Sequence, residues 1–130
     1  MATGTKTNAN GSARSRHGDA SETREVVRDF KKAVNMTPSR LVHWLETDDS
    51  RAVGFKGGGT GESVGHRSGR RIVRLLGKSQ DDLTSGDIAH MRKVVGYVHR
   101  HMAQRPEGDV RDTAWRHSLM NWGHDPLHKA

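Results

Sequence analysis

Cysteine is absent from this chain, which rules out disulfides, thiol catalysis and cysteine-ligated zinc. Aromatic residues make up only 5% of it, and no apolar run approaches the roughly 18 residues that a membrane-crossing helix needs. The apolar stretch that opens a secretory signal is missing as well, so the expected location is the cytoplasm. Sustained alternation of apolar and polar residues is also missing, so little or no sheet is expected. Acid is lacking in one particular place. Residues 63–80, SVGHRSGRRIVRLLGKSQ, hold Arg67, Arg70, Arg71, Arg74 and Lys78 and not one Asp or Glu.

What is present fits a single small all-α domain, because 130 residues leave no room for a second independent core. Residues 1–20 contain no Val, Leu, Ile or aromatic side chain to offset the entropy of ordering, and they are expected to form a disordered basic tail. Residues 21–130 are expected to form the helical domain, of about five helices, with a glycine-rich loop at about 54–67. In its first helix, residues 21–35, Val26, Val27, Phe30, Ala33 and Val34 recur at helical spacing. Thr37 followed by Pro38 starts a short helix with an apolar stripe of Leu41, Trp44 and Leu45. Another turn can begin at Asp48 or Asp49.

Beyond the glycines, Ser68 can cap a helix over Arg70 to Lys78 that turns Ile72, Val73, Leu75 and Leu76 inward and its cations outward. The longest helix is expected from Thr84 or Ser85 to Gln104, with an inward row of Ile88, Met91, Val95, Val98 and Met102. Lys93, Tyr97, Arg100, His101 and Gln104 come round on its other side. Gly96 in mid-helix costs about 1 kcal/mol relative to Ala, which suggests close approach by another helix there. A last helix is expected from Asp109 to near Trp122, stopped by Gly123 and packing through Trp115, Leu119 and Trp122.

The net charge of +7 is unevenly spread. Residues 21–62 and 81–130 each balance to zero, and residues 63–80 alone contribute +5. Residues 88–105 form a second acid-free stretch, with Arg92, Lys93, Arg100 and Arg105. A merely solvated helix face usually mixes signs, whereas unneutralised cations suit a polyanion. Arginine outnumbers lysine, 15 to 7, and its planar fork matches phosphate in a bidentate fashion. Phosphate contacts are assigned to Arg67, Arg70, Arg71, Arg74 and Lys78. Base-edge contacts would fall to Arg92, Lys93, Tyr97, Arg100 and His101, although Tyr97 could equally be buried.

Signals of chemistry are thinner. Gly61-Glu62-Ser63-Val64-Gly65 matches the G-x-S-x-G elbow of serine hydrolases, but no strand delivers the serine, and a turn explains the match. Gly57 to Gly61 resembles a phosphate loop without the Gly-Lys-Ser or Gly-Lys-Thr that would complete one. Nine histidines invite a metal reading. His99 and His101 point about 200 degrees apart on a helix, so His117, His124 and Asp125 are the least unsuitable ligands, and no metal site is assigned. No cofactor, catalytic residue or small-molecule substrate is evident.

The blocks MTPSRLVHWLET, GESVGHRSGRRIV, HMRKVVGYVHRHMAQRPEGDV and WRHSLMNWGHDPLHK together resemble a bacterial family known as a domain of unknown function, over roughly residues 22–129. The resemblance implies no catalytic residue or cofactor; some members bear a DNA-binding label, which implies a DNA partner. Thr37 to Gly54 is also similar to half of a helix-extension-helix DNA-binding module. The function expected is thus a non-enzymatic DNA-binding protein of nucleoid-associated or regulatory type. The alternative is an adaptor for a protein partner, docking through an apolar surface of Trp115, Leu119, Met120 and Trp122; a small hydrolase using Ser63 comes last.

Overall fold

In a computed structural model of the chain, residues 20–56 and 61–128 are described. They form α1 (Ala20–Ala33), α2 (Pro38–Leu45), α3 (Asp48–Ala52), α4 (Val64–Leu76), α5 (Ser85–Met102) and α6 (Ala114–Asn121), with a 3-10 turn at Gln80–Asp82. Among the described residues the architecture is all-helical, without a strand. The tail expected at 1–20 lies outside the described residues except for Ala20, which opens α1.

Local chemistry sets most helix starts. Thr37, Thr47, Ser63, Thr84 and Thr113 each accept a hydrogen bond from a first-turn N–H, satisfying donors that have no partner inside the helix. At α5 the cap is reciprocal: Thr84 Oγ1 takes the Asp87 N–H while the Asp87 carboxylate takes the Thr84 N–H. α6 ends at Asn121, and Gly123, just past its Trp122 cap, has a φ of +83° that suits a residue without a side chain.

α1 lies along α5, while α2, α3, α4 and α5 surround the short α6. Phe30, Leu41, Ile72, Ile88, Met91, Val94 and Leu119 are fully buried between them. Each such side chain contributes about 1.5–3 kcal/mol by leaving water. The chain after α6 is sewn back onto the turn after α1. Asn35 Nδ2 donates to Asp125 O at 3.0 Å, Asn35 Oδ1 accepts the Asp125 N–H at 2.8 Å, and His124 Nδ1 donates to Ala33 O at 2.8 Å.

Four sequence expectations are corrected. The glycine-rich stretch does not run to 67: α4 starts at Val64, capped by Ser63, while Ser68 is buried and bonds His90 at 2.9 Å. α6 begins at Ala114 rather than Asp109, whose carboxylate instead holds Arg111. In α5 the buried row is Ile88, Met91, Val94 and Val98, so Val94 replaces Val95 and Met102, which are only half-buried. Among the described residues no other helix comes within 4 Å of a Cβ built at Gly96, which would meet only the Arg100 guanidinium, at 3.1 Å.

Candidate functional site

The acid-free segment does not stay unpaired after folding, because acids lying just past its ends turn back onto it. Glu62 receives Arg70 in a bidentate pair at 2.7 and 2.6 Å, lies 2.5 Å from His66 Nδ1 and 3.7 Å from Arg67. The Arg70 bonds, acting against partial burial and helped by His66, hold the Glu62 carboxyl at about 2. Asp87 receives Lys78 at 2.6 Å and Arg71 at 3.2 Å, and these bonds with the Thr84 N–H keep its carboxyl far below the usual range. The expectation of five unpartnered cations is thereby corrected: Arg67, Arg70, Arg71 and Lys78 have carboxylate partners. Five cations still face two carboxylates, and among the described residues no carboxylate pairs with Arg74.

On α5, Arg92 is exposed but bound to Glu22 at 3.0 Å, across to α1. Lys93 and Arg100 are exposed, and no carboxylate among the described residues pairs with either. Tyr97 and His101 are half-buried members of a ring column. His90, Trp122, Tyr97, His101 and Trp115 follow one another in stacked pairs with centroids 4.3–6.2 Å apart, and Arg105 lies over the last ring at 5.5 Å. His101 as a base contact is corrected accordingly, because its ring packs inside the column and its Nε2 lies 3.2 Å from Trp115 O. Burial lowers the His101 pKa and raises that of the Tyr97 phenol, the latter opposed by a hydrogen bond with Ser118.

His90, on α5, reaches α4 through a 2.9 Å hydrogen bond with Ser68. Burial first, then the charges of Arg71 and Lys93, press its pKa down to about 4. Asp87 opposes these charges, and burial, the largest cause, keeps the ring neutral. Beside it opens a cavity of about 320 Å³, lined by Gly54, Phe55, Val64, Gly65, Lys93, Tyr97, Arg100, Ser118, Asn121 and Trp122. Phe55 is 73% exposed at its edge, and Val64 also shows to solvent.

Three other candidate chemistries lose their geometry. Ser63 is 1% exposed and its Oγ accepts the His66 N–H at 3.0 Å, so the G-x-S-x-G match is a helix cap. Asp125 is held by Arg40 and by Arg116 at 3.0 and 3.1 Å, which occupies the carboxylate of the least unsuitable metal-ligand set, His117, His124 and Asp125, to which no site is assigned. No metal-binding cluster of His, Asp and Glu occurs among the described residues. Trp115, Leu119, Met120 and Trp122 are core residues and form no apolar docking surface.

The sequence reading missed both carboxylate hubs and the cavity. Glu62 sits four residues before His66 and eight before Arg70, so its reach onto the α4 face was readable once the helix start was placed at Val64. Phe55 and Trp122 are 67 residues apart, and nothing local joins them.

No helix among the described residues is long and apolar enough to cross a membrane. Residues 29–120 match one family model, described as a protein of unknown function (DUF3140). Neither a curated protein nor a solved structure matches the chain.

Proposed function

The chain belongs to the DUF3140 family of unknown function, and from the geometry of its α4 and α5 faces we propose that it is a non-enzymatic DNA-binding protein that grips phosphates. One observation carries the reading: Ser68 on α4 bonds His90 on α5, Arg71 and Lys78 reach Asp87 at the start of α5, and the cations of the two helices outnumber the carboxylates that reach them. Arg74, Lys93 and Arg100 supply direct phosphate contacts, since forming them breaks no ion pair seen in the fold. Arg67, Arg70, Arg71 and Lys78 add positive potential while remaining on Glu62 and Asp87. Contacts of this kind position a duplex without reading it, so the binding is of the nucleoid-associated type and the protein resides on the nucleoid. The competing hydrolase and adaptor readings rest on Ser63 and on the C-terminal tryptophans, whose side chains are buried.

Titration of labelled duplex DNA at several salt concentrations tests this. Wild type should lose affinity steeply with salt, and a triple variant Arg74→Ala, Lys93→Ala, Arg100→Ala should bind more weakly. Its log–log salt slope should fall by about 0.9 per lost phosphate contact. Arg111→Ala, which removes a guanidinium held by Asp109, should leave both quantities unchanged. Equal affinity and slope for wild type and the triple variant would refute the assignment.

A further inference from the structure

The cavity beside His90 holds a polar group that the fold leaves unsatisfied. Trp122 is only 6% exposed, and among the described residues no acceptor takes its indole N–H. A buried donor without a partner is disfavoured, and such groups call for an explanation. The other two tryptophans are satisfied: Trp44 Nε1 donates to Asn121 Oδ1 and Trp115 Nε1 to His101 O, each at 2.7 Å. The Trp122 nitrogen instead faces Gly65, where an added Cβ would stand 3.0 Å from it, and both residues line the cavity. Glycine at 65 therefore keeps the N–H uncovered on its cavity side.

The remaining lining defines what would satisfy that donor. Lys93 and Arg100 bring two positive charges to the same cavity, and Phe55 and Val64 bring apolar surface with no core to cover it. His90, stacked on Trp122, adds no competing charge while it is neutral. Tyr97 and His90 stack nearly parallel to the Trp122 ring, with centroids 4.3 and 6.2 Å away, so its N–H edge is the part offered to a ligand. We propose that this cavity binds a small organic anion, whose oxyanion head accepts the Trp122 N–H beside Lys93 and Arg100 and whose apolar body lies against Phe55 and Val64. A volume of about 320 Å³ admits a single substituted ring or a short acyl chain and excludes a polymer. The proposal goes beyond DNA binding and does not rest on it. Lys93 and Arg100 serve both, but the indole N–H belongs to the cavity alone.

The test is a proton–nitrogen NMR titration of the full-length protein labelled with nitrogen-15, using benzoate and phenyl phosphate as anions and benzamide as a neutral counterpart. The Trp122 indole peak should move saturably with at least one anion, and which one moves it identifies the head group. The Trp44 and Trp115 peaks should stay in place. Benzamide should bind about tenfold more weakly, the ratio expected when a charge-assisted contact is lost. Lys93→Met, an exposed substitution that keeps the fold, should weaken the anion about tenfold and leave benzamide unchanged. Gly65→Ala should abolish the shift by covering the nitrogen, and should it fail to fold, Lys93→Met still decides. The proposal is overturned if neither anion moves the Trp122 peak, if benzamide binds as tightly, or if Lys93→Met changes nothing.

Discussion

A single buried amide joins three helices. Asn121, at the end of α6, accepts Trp44 Nε1 from α2 at 2.7 Å and Ser50 Oγ from α3 at 2.5 Å, and returns its own Nδ2 to Ser50 O at 3.0 Å. Three of its four hydrogen-bonding positions are used within the core, where it is 1% exposed. Asn121→Ala strands an indole N–H and a hydroxyl with no acceptor, each disfavoured by about 1–3 kcal/mol. A loss of about 3 kcal/mol is expected, read as a lower urea midpoint at unchanged slope. Asn121→Asp keeps an acceptor for both donors but aims its second oxygen at the Ser50 carbonyl, so it should destabilise as well. An Asn121→Ala protein as stable as wild type would mean that these donors find water instead.

At the scale of helices, two glycines inside α4 and α5 have opposite roles. A Cβ at Gly69 would fall 2.6 Å from Asn121 O and 2.7 Å from Leu45 Cδ2, so α4 could no longer seat against α2 and α6. A Cβ at Gly96 would meet only the mobile end of the Arg100 side chain. Gly69→Ala should therefore lower the melting temperature markedly, whereas Gly96→Ala should raise stability by up to about 1 kcal/mol through helix propensity. The reverse ranking in a thermal melt would contradict the packing. The same glycines mark the limit of what the sequence disclosed. Helices with regular apolar spacing and a Thr-Pro or Thr-x-x-Asp start, α2 and α5, were legible almost to the residue. The start of α4 was not, because Gly65 and Gly69 read locally as loop and become helical only through contact with Trp122, Asn121 and Leu45. The candidate site was legible in its cations and illegible in their partners: Lys93 and Arg100 stand out by composition, but Trp122 reaches them only through the fold.

Over the whole molecule, carboxylates at three junctions hold together what the apolar core does not. Glu62 fixes the entry to α4, Asp87 ties the end of α4 to the start of α5, and Asp125 binds the C-terminal segment to α2 and α6. Burial raises the pKa of Asp125, but hydrogen bonds from Arg116, the Leu127 N–H and Arg40 outweigh it and leave it at about 2. Glu62 also stands at about 2, and Asp87 lies lower than its unfolded value as well. In the unfolded chain such groups titrate near pH 4, so there the unfolded state binds more protons than the folded state. Their stabilisation is complete above about pH 5 and disappears as pH falls toward 2. His90 acts in the same direction by the opposite route. Its folded pKa of about 4 lies below its unfolded value near 6.5, so the neutral ring favours the fold above that pH and the advantage is lost on the way down to 4. Stability should therefore rise with pH across the whole span from about 2 to 6.5, with two limbs. His90→Gln should make the upper limb shallower, the remainder coming from His101, whose pKa burial also lowers, and Asp125→Asn should weaken the lower one. Urea midpoints measured across this pH range decide the matter, and a wild-type profile flat between pH 6.5 and 5 would show that the His90 and His101 rings titrate alike in the folded and unfolded states.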